Sequence, residues 1–208
     1  QVADGVVEGG LSGVSFADNV TVATRLTQGC SPLGPKHLVT ASQHNVIIQL
    51  DGRAALDVFK EDIGEPLARD LNRVGGQIFA GLPIAGSDTG DYLVRNLVGI
   101  DPSNRLIAIG ELLQPGASVM FCRRDTKTAN EDMARMLDSI RKGMFARPRG
   151  GVYYSCVGRG ASLFGPDSAE LRMIRETLGE FPLVGFFCNG EISHNRLYGY
   201  TGVLTLFV

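Results

Sequence analysis

Two cysteines, each followed by a charged residue, are the strongest candidates for chemistry in this chain. Cys156 and Cys188 each stand near the end of an apolar stretch that predicts a strand, and a glycine-containing turn follows each. Arg159 comes three residues after the first cysteine, and Glu191 three residues after the second. Glycine lets the backbone of such a turn approach a ligand and leaves N–H groups free. If the two strands are neighbours, we expect these four side chains to meet at one sheet edge.

The charges of this group match an amino-acid-like ligand. Arg159 can hold a carboxylate through two parallel hydrogen bonds, and Glu191 can hold an ammonium group. Asn189 belongs to the same turn as Glu191. The predicted ligand-binding set consists of Cys156, Arg159, Cys188, Asn189 and Glu191.

A structural interpretation of the same residues stays open. Free cysteine is among the most buried residue types, so both thiols can serve as small apolar core groups. Arg159 and Glu191 would then pair with each other. Thiol catalysis is a third alternative, but a cysteine nucleophile requires a nearby, oriented histidine base. His194 is a poor candidate for this base, because six residues and a turn separate it from Cys188. No serine or cysteine elbow motif is present, and we predict no catalytic residue.

Metal and cofactor sites have little support in the sequence. His37 and His44 lie seven residues apart, and no cysteine–histidine spacing matches a zinc site. Haem needs only one axial histidine or cysteine, so haem stays open, with His37 and His194 as candidate ligands. The turn at 158–160 matches neither the dinucleotide-binding nor the Walker pattern. We therefore expect no metal and no cofactor, with haem as the open alternative.

Local signals predict the elements that position these residues. The clearest helix spans 126–144, where Met133, Leu137, Ile140 and Met144 repeat at helical spacing and form a stripe that favours core packing over a ligand pocket. Further helices are predicted at 53–59, 66–73 and 166–178, and a tight loop at 29–35. Strands are predicted at 20–24, 37–40, 45–50, 78–84, 92–100, 105–110, 118–123, 152–157, 183–188 and 202–208.

Runs of consecutive strands argue against regular alternation of strand and helix. The predicted fold class is α+β, with a mostly antiparallel mixed β-sheet and packed helices. The polar stretch at 60–65 is the best candidate for a domain boundary. The chain starts with Gln1 rather than Met, which favours a part of a longer protein.

Composition narrows the classes of function. The 208 residues carry a formal net charge of -2, so no basic field holds nucleic acid or an anionic membrane. No stretch approaches the length that spans a bilayer. The widely spaced Cys30, Cys122, Cys156 and Cys188 fit reduced thiols of a cytoplasmic protein better than a disulfide framework.

Three segments together resemble the FIST family, the "F-box and intracellular signal transduction" proteins. The first is QGCSPLGP at 28–35 with LDGRAAL at 50–56, which is similar to the end of the N-terminal FIST domain. The second is YSCVGRG at 154–160 with LFG at 163–165, and the third is GFFCNGEI at 185–192. YLVR at 92–95, GID at 99–101 and FCRRD at 121–125 also fit the C-terminal FIST domain. The resemblance covers nearly the whole chain.

The resemblance implies a sensory function rather than a specific ligand. FIST domains are proposed to sense small ligands, amino-acid-like ones among them. Some members are described as haem-binding nitric oxide sensors, and a eukaryotic relative carries an F-box. Ligand identity does not transfer with a fold. The resemblance divides the chain into a tail of the N-terminal domain at 1–60 and a C-terminal domain at 61–208.

We therefore expect a non-catalytic cytoplasmic sensor that binds a small polar ligand and signals to a protein partner. Binding of nucleic acid or membrane is not expected. The alternatives are a module that docks a polypeptide partner, a haem-based gas sensor and, less favoured, a thiol enzyme. An exposed apolar patch would favour the docking module, and a pocket with convergent polar groups would favour the sensor.

Overall fold

The computed structural model describes residues 4–10, 13–84 and 92–208. The strands are β1 (Val22–Gln28), β2 (Cys30–Pro32), β3 (His37–Gln43), β4 (Val46–Leu50), β5 (Arg53–Ala54), β6 (Ile78–Pro83), β7 (Tyr92–Asp101), β8 (Leu106–Ile109), β9 (Ser118–Arg124), β10 (Gly150–Cys156), β11 (Leu183–Cys188), β12 (Glu191–Ser193), β13 (Arg196–Tyr198) and β14 (Thr201–Phe207). The helices are α1 (Ala55–Ile63), α2 (Glu65–Ala68), α3 (Thr126–Gly143), α4 (Ala161–Phe164) and α5 (Ala169–Leu178), and a 3-10 turn covers Leu71–Arg73.

Six strands between residues 37 and 124 close into a ring. The order around the ring is β3, β4, β8, β7, β6 and β9, and β9 returns to β3. Each of these pairings is antiparallel. β2 also pairs with β9, with Cys30 opposite Arg124. Closure satisfies the backbone groups that an open sheet would leave at its edges.

The inside of the ring is the larger of the two main cores. β6 is buried on both faces, because Ile78, Ala80 and Leu82 point into this core while Phe79 belongs to a second cluster outside it. α1 closes the same core, and its Phe59 ring meets Phe121 edge to face at 4.7 Å between centroids.

A separate four-stranded sheet holds the other core. Its order is β1, β14, β10, β11, and it brings residues 22–28 beside residues 201–207. α3 and α5 pack on one face through Met133, Leu137 and Ile174, which contact Tyr153 and Leu204 within one cluster. This sheet and its helices position the residues that the sequence singled out.

Tyr92 and Gln28 join the two sheets. Nε2 of Gln28 in β1 donates to the Tyr92 carbonyl of β7 at 2.6 Å. On the β7 side, the Tyr92 hydroxyl donates to the Cys30 carbonyl of β2 at 2.6 Å, and on the β1 side, Asp132 of α3 accepts from the Thr27 hydroxyl at 2.7 Å. Tyr200 packs on Phe79 with ring centroids 4.5 Å apart. The junction is therefore both apolar and hydrogen-bonded.

The predicted α+β class is confirmed. Among the described strands, β10 and β11 form the single parallel pairing, and all other pairings are antiparallel. Helix α3 agrees closely with the predicted 126–144. Its N-cap is Asp125, whose carboxylate accepts from the Thr128 amide at 2.8 Å.

Several elements differ from their predicted extent. The predicted loop at 29–35 contains strand β2, because residues 30–32 pair with β9, a contact that local turn signals do not show. The helix predicted at 53–59 begins at Ala55 and continues to Ile63, whose side chain joins the ring core. This helix runs across the domain boundary predicted between residues 60 and 61. The boundary itself stays a prediction.

Two longer predicted helices also differ from the observed ones, one by an interruption and one by a later start. The helix expected at 66–73 consists of the short α2 and a 3-10 turn, because Asp70 leaves the helical region and accepts from the Asn72 amide. The helix expected at 166–178 begins only at Ala169, as α5, and the short α4 lies in the preceding segment that was predicted as a loop. Asp167 and Ser168 have positive φ values of 62° and 54°, so no regular helix passes through them.

Candidate functional site

The two strands that carry the predicted cysteines are neighbours. β10 and β11 run parallel, and Cys156 lies directly opposite Cys188 in the register. Cys156 is buried and Cys188 is half-buried. The sheet therefore brings both predicted cysteines to the carboxyl ends of adjacent strands.

Glu191 and Cys188 form a local contact in the turn after β11. Sγ of Cys188 lies 3.3 Å from Oε1 of Glu191. The buried Glu191 carboxylate also accepts from the hydroxyl of Thr201 at 2.7 Å. Burial and the hydrogen bond to Glu191 raise the pKa of the Cys188 thiol to about 11. The thiol is thus protonated at neutral pH and lacks the thiolate that acts as a nucleophile.

Arg159 does not join Glu191. It pairs instead with Glu170 of α5, with Nε 2.9 Å from Oε1, and both side chains are buried. Its guanidinium lies 4.7 Å from the centre of the Phe164 ring. Within the described residues, the two Nη atoms have no hydrogen-bond partner. The Arg159–Glu191 pair of the structural interpretation is therefore wrong, and Arg159 does not join the other three side chains, because the turn after β10 directs it towards the helical face of the sheet.

Glu170 is the polar centre of this region. It accepts from the Tyr153 hydroxyl at 2.6 Å, from the Ser155 hydroxyl at 3.2 Å and from the Gly160 amide at 3.1 Å, in addition to Arg159. Burial raises the pKa of Tyr153, which stays a neutral donor. For Arg159, burial alone would lower the pKa, but Tyr153 and Glu170 outweigh burial and raise it. One carboxylate thus connects β10, the turn at 157–160 and α5.

A pocket of about 710 Å³ lies against this network. Ser155, Glu170 and the Gly160 backbone contribute its polar lining, and Phe164 and Phe187 contribute aromatic walls. Residues 183–187 of β11 form one side, and the start of α5 forms the other. Convergent polar groups in a mainly apolar pocket are typical of a small-molecule site.

The predicted residues lie around this pocket rather than in its lining. Arg159 lies behind Glu170, and Asn189 is exposed in the turn after β11. The polar lining residues Ser155 and Glu170 were not predicted. For Glu170, a signal existed: it shares the buried face of α5 with Ile174 and Leu178, so it is an acidic residue in an apolar stripe.

Neither candidate haem ligand has a suitable environment. Both ring nitrogens of His37 are occupied, Nδ1 by Asp51 at 2.6 Å and Nε2 by Asp62 at 2.9 Å. His194 is exposed in the turn between β12 and β13. These residues do not fit an axially ligated, enclosed macrocycle. Within residues 4–10, 13–84 and 92–208, no group of three or more His, Cys, Asp and Glu side chains is arranged to hold a metal ion.

The described part of the chain contains no helix that is long and apolar enough to cross a bilayer.

Comparison with known proteins identifies the family. The family model of the FIST C domain matches residues 55–194, and that of the FIST N domain matches residues 1–53. An uncharacterized protein of Mycobacterium tuberculosis strain H37Rv is 35% identical over 214 residues, which cover 98% of this chain and 55% of that protein. An uncharacterized protein of Mycobacterium bovis is 35% identical over 191 residues, which cover 88% of this chain and 50% of that protein. The chain thus spans about half the length of the curated relatives it matches, and it belongs to the FIST family.

Proposed function

We propose that this chain is a non-catalytic sensory domain that binds a small polar, amino-acid-like ligand in the pocket between β11 and α5. FIST domains are sensory domains of signal-transduction proteins. The observation that carries the proposal is the pocket of about 710 Å³ with Glu170 and Ser155 in its lining.

The lining favours a ligand with a cationic or hydroxyl group and an apolar part. Phe164, Phe187 and Leu183 offer apolar contact. A carboxylate has about four acceptor positions, and Oε2 of Glu170 accepts from Gly160 and, at 3.2 Å, from Ser155. The Ser155 hydroxyl is shared between the two carboxylate oxygens, at 3.3 and 3.2 Å. It can therefore turn to a ligand while an ammonium group binds Oε2.

Ligand occupancy would be transmitted through the Glu170 network. The same carboxylate fixes α5 to β10 and to the turn at 157–160. If a ligand takes over one of these hydrogen bonds, its affinity differs between two arrangements of α5. Such a difference in affinity is the thermodynamic requirement for a signal.

The sequence-predicted set remains a proposal of its own. Arg159 would act by positioning Glu170, since it lies behind that carboxylate. Cys156, Cys188, Asn189 and Glu191 would form a second polar group at the carboxyl end of β11. The raised pKa of the Cys188 thiol supports a non-catalytic role.

A cytoplasmic location and a signalling protein as partner also belong to the proposal. The four cysteines are free thiols in the structure, which supports a reducing compartment. The net charge of -2 supports a partner other than nucleic acid or membrane.

A ligand screen with a matched pair of variants tests the proposal. The chain would be heated with L-amino acids, small amines and small carboxylates, because a ligand of the native state raises Tm. We expect one class to stabilise the chain. Ser155→Ala should weaken that ligand about tenfold, the equivalent of one hydrogen bond.

Ser162→Ala is the matched control. Its hydroxyl donates to the Arg159 carbonyl at 2.9 Å, and the residue is not part of the pocket lining. Binding unchanged by Ser155→Ala, or the absence of any stabilising compound, would contradict the proposed site.

A docking module is the second candidate function. The exposed Val184, Phe186 and Phe187 of β11 favour it, because adjacent exposed apolar groups mark interaction surfaces.

A further inference from the structure

Strand β11 ends the four-stranded sheet and has no neighbour on its outer side among the described strands. Its sequence, LVGFFC, contains no charge and no proline. Natural proteins commonly protect an edge strand with charged residues, proline or a bulge, because an open edge pairs with other chains. Strand β11 has none of these features within 183–188, so its outer edge is open to pairing.

The hydrogen bonds to β10 show which backbone groups face outward. The Pro182 carbonyl accepts from Gly151, and the Cys188 carbonyl accepts from Val157. In a strand, the N–H and C=O of one residue point to the same side, and alternate residues point to opposite sides. Residues 182, 184, 186 and 188 therefore face β10. The N–H and C=O groups of Leu183, Gly185 and Phe187 face outward.

Apolar side chains flank this free edge on both faces. Phe186 meets Tyr154 edge to face, with ring centroids 5.1 Å apart, on the face away from α5. Val184 points to the same face and is 68% exposed, while Phe186 is 65% exposed. Phe187 points to the α5 side and is 59% exposed. A partner strand would cover all three.

We propose that a second copy of this chain pairs with β11 in antiparallel orientation about a twofold axis at Gly185, joining two four-stranded sheets. The proposal does not rest on the small-ligand function, although β11 also forms one side of the pocket. The outward groups are symmetric about Gly185, as an isologous interface requires. Gly185 then exchanges both backbone hydrogen bonds with Gly185 of the other copy.

The side chains that this register brings together are complementary. Leu183 lies opposite Phe187 of the other copy, and Val184 lies opposite Phe186 of the other copy. Aromatic–aliphatic cross-strand pairs stabilise antiparallel strands. No two like charges meet, because the strand carries none. Nearby, the groove beside α5 contains Arg172 and Arg175 with Asp167 and Glu180, so its charges balance.

The size of the patch predicts a weak dimer. A six-residue strand is about 20 Å long, and a phenylalanine buries about 150–250 Å² when fully covered. Two partly exposed phenylalanines and one valine supply less than the roughly 800 Å² per partner of a standard interface. We expect a dissociation constant of about 1 to 100 µM.

Sedimentation velocity over a range of protein concentrations tests association. Dimers should appear as the concentration passes the dissociation constant. Val184→Lys places an ammonium group in the cross-strand pair and should weaken association at least about tenfold. Val98→Lys is the matched control, because Val98 is 58% exposed on β7 of the other sheet, and it should leave association unchanged.

Amide hydrogen exchange of the unmodified chain tests the register. The amides of Leu183, Gly185 and Phe187 should become protected as the concentration rises, while those of Val184 and Phe186 are protected by β10 throughout. A monomer at every concentration would overturn the proposal, as would a dimer that leaves the three outward amides unprotected. A chain that stays monomeric by itself would leave another polypeptide as the partner of β11.

Discussion

His37 lies between two carboxylates that are distant in sequence. Nδ1 contacts Asp51 at 2.6 Å and Nε2 contacts Asp62 at 2.9 Å. A neutral imidazole carries one N–H, so only the protonated ring donates to both carboxylates. Burial alone would lower the pKa of His37, but the hydrogen bonds to Asp51 and Asp62 outweigh burial and raise it. The charged ring therefore ties β3 to α1 and to the turn after β4.

This contact predicts a loss of stability on the alkaline side. A pKa that folding raises contributes stability that is fully present below the unfolded value of about 6.5 and is lost as the pH rises through the folded value. The pKa of Asp51 is lowered by its hydrogen bond to His37, so its contribution is lost only in acid. The free energy of unfolding, measured by urea at several pH values, should therefore fall as the pH rises from about 6.5 through the raised pKa of His37.

A pair of histidine variants assigns this pH dependence. His37→Gln should remove most of the alkaline slope. His194→Asn should retain it, because His194 is exposed in a turn where its φ of 54° suits asparagine. An equal slope in His37→Gln and the unmodified chain would contradict the role given to His37.

For single residues, the sequence indicates which residue types form a polar group better than it indicates which side chains contact each other. Cys156 and Cys188 were expected to meet and do so, because both end apolar strands that are neighbours. The structural interpretation paired Arg159 with Glu191, but Arg159 pairs with Glu170. That choice depends on how the turn at 157–160 leaves the sheet, and residue spacing does not contain this information.

Helix α5 shows how an element positions a functional group. It begins at Ala169, immediately after two residues with positive φ, so Glu170 falls in its first turn and on its buried face. The carboxylate then meets Tyr153 and Ser155 of β10. Glu170 thereby fixes the helix that forms one side of the pocket.

Two substitutions in this ion pair should differ in cost. Glu170→Gln leaves the buried Arg159 without a charge partner, and breaking a buried pair in this way costs about 3–5 kcal/mol. Arg159→Met removes a guanidinium whose Nη atoms have no partner in the described structure. Glu170 then keeps three donors, so we expect a cost of only about 1–3 kcal/mol. Urea unfolding of both variants measures the difference.

The order of the two costs is the informative result. A larger loss for Arg159→Met than for Glu170→Gln would mean that the guanidinium, and not the carboxylate, holds α5 in place.

Elements with a strong local signal were predictable, and short paired ones were not. The stripe of Met133, Leu137 and Ile140 and the cap at Asp125 predict α3 to within one residue at its carboxyl end. The strands β2, β12 and β13 have three residues each. Three residues are too few for a periodic pattern, and their partners, not their own composition, make them strands.

The whole molecule combines a closed ring of strands with an open four-stranded sheet. Ring closure depends on β6 meeting β9 and β9 meeting β3, pairings between segments about 40 and 80 residues apart in the sequence. The sequence therefore predicted strands and their antiparallel preference, but not the ring. The open sheet, in contrast, has β11 at its edge among the described strands, and β11 also lines the pocket.

The central claim is that the pocket between β11 and α5 binds a small polar ligand. The most direct measurement is a titration of the isotopically labelled chain with L-amino acids and small amines, followed by NMR amide shifts. The account predicts saturable shifts that cluster at Ser155, Gly160 and the start of α5 and at residues 183–187. Saturable shifts confined to the ring of strands, or no saturable shifts with any of these compounds, would contradict it.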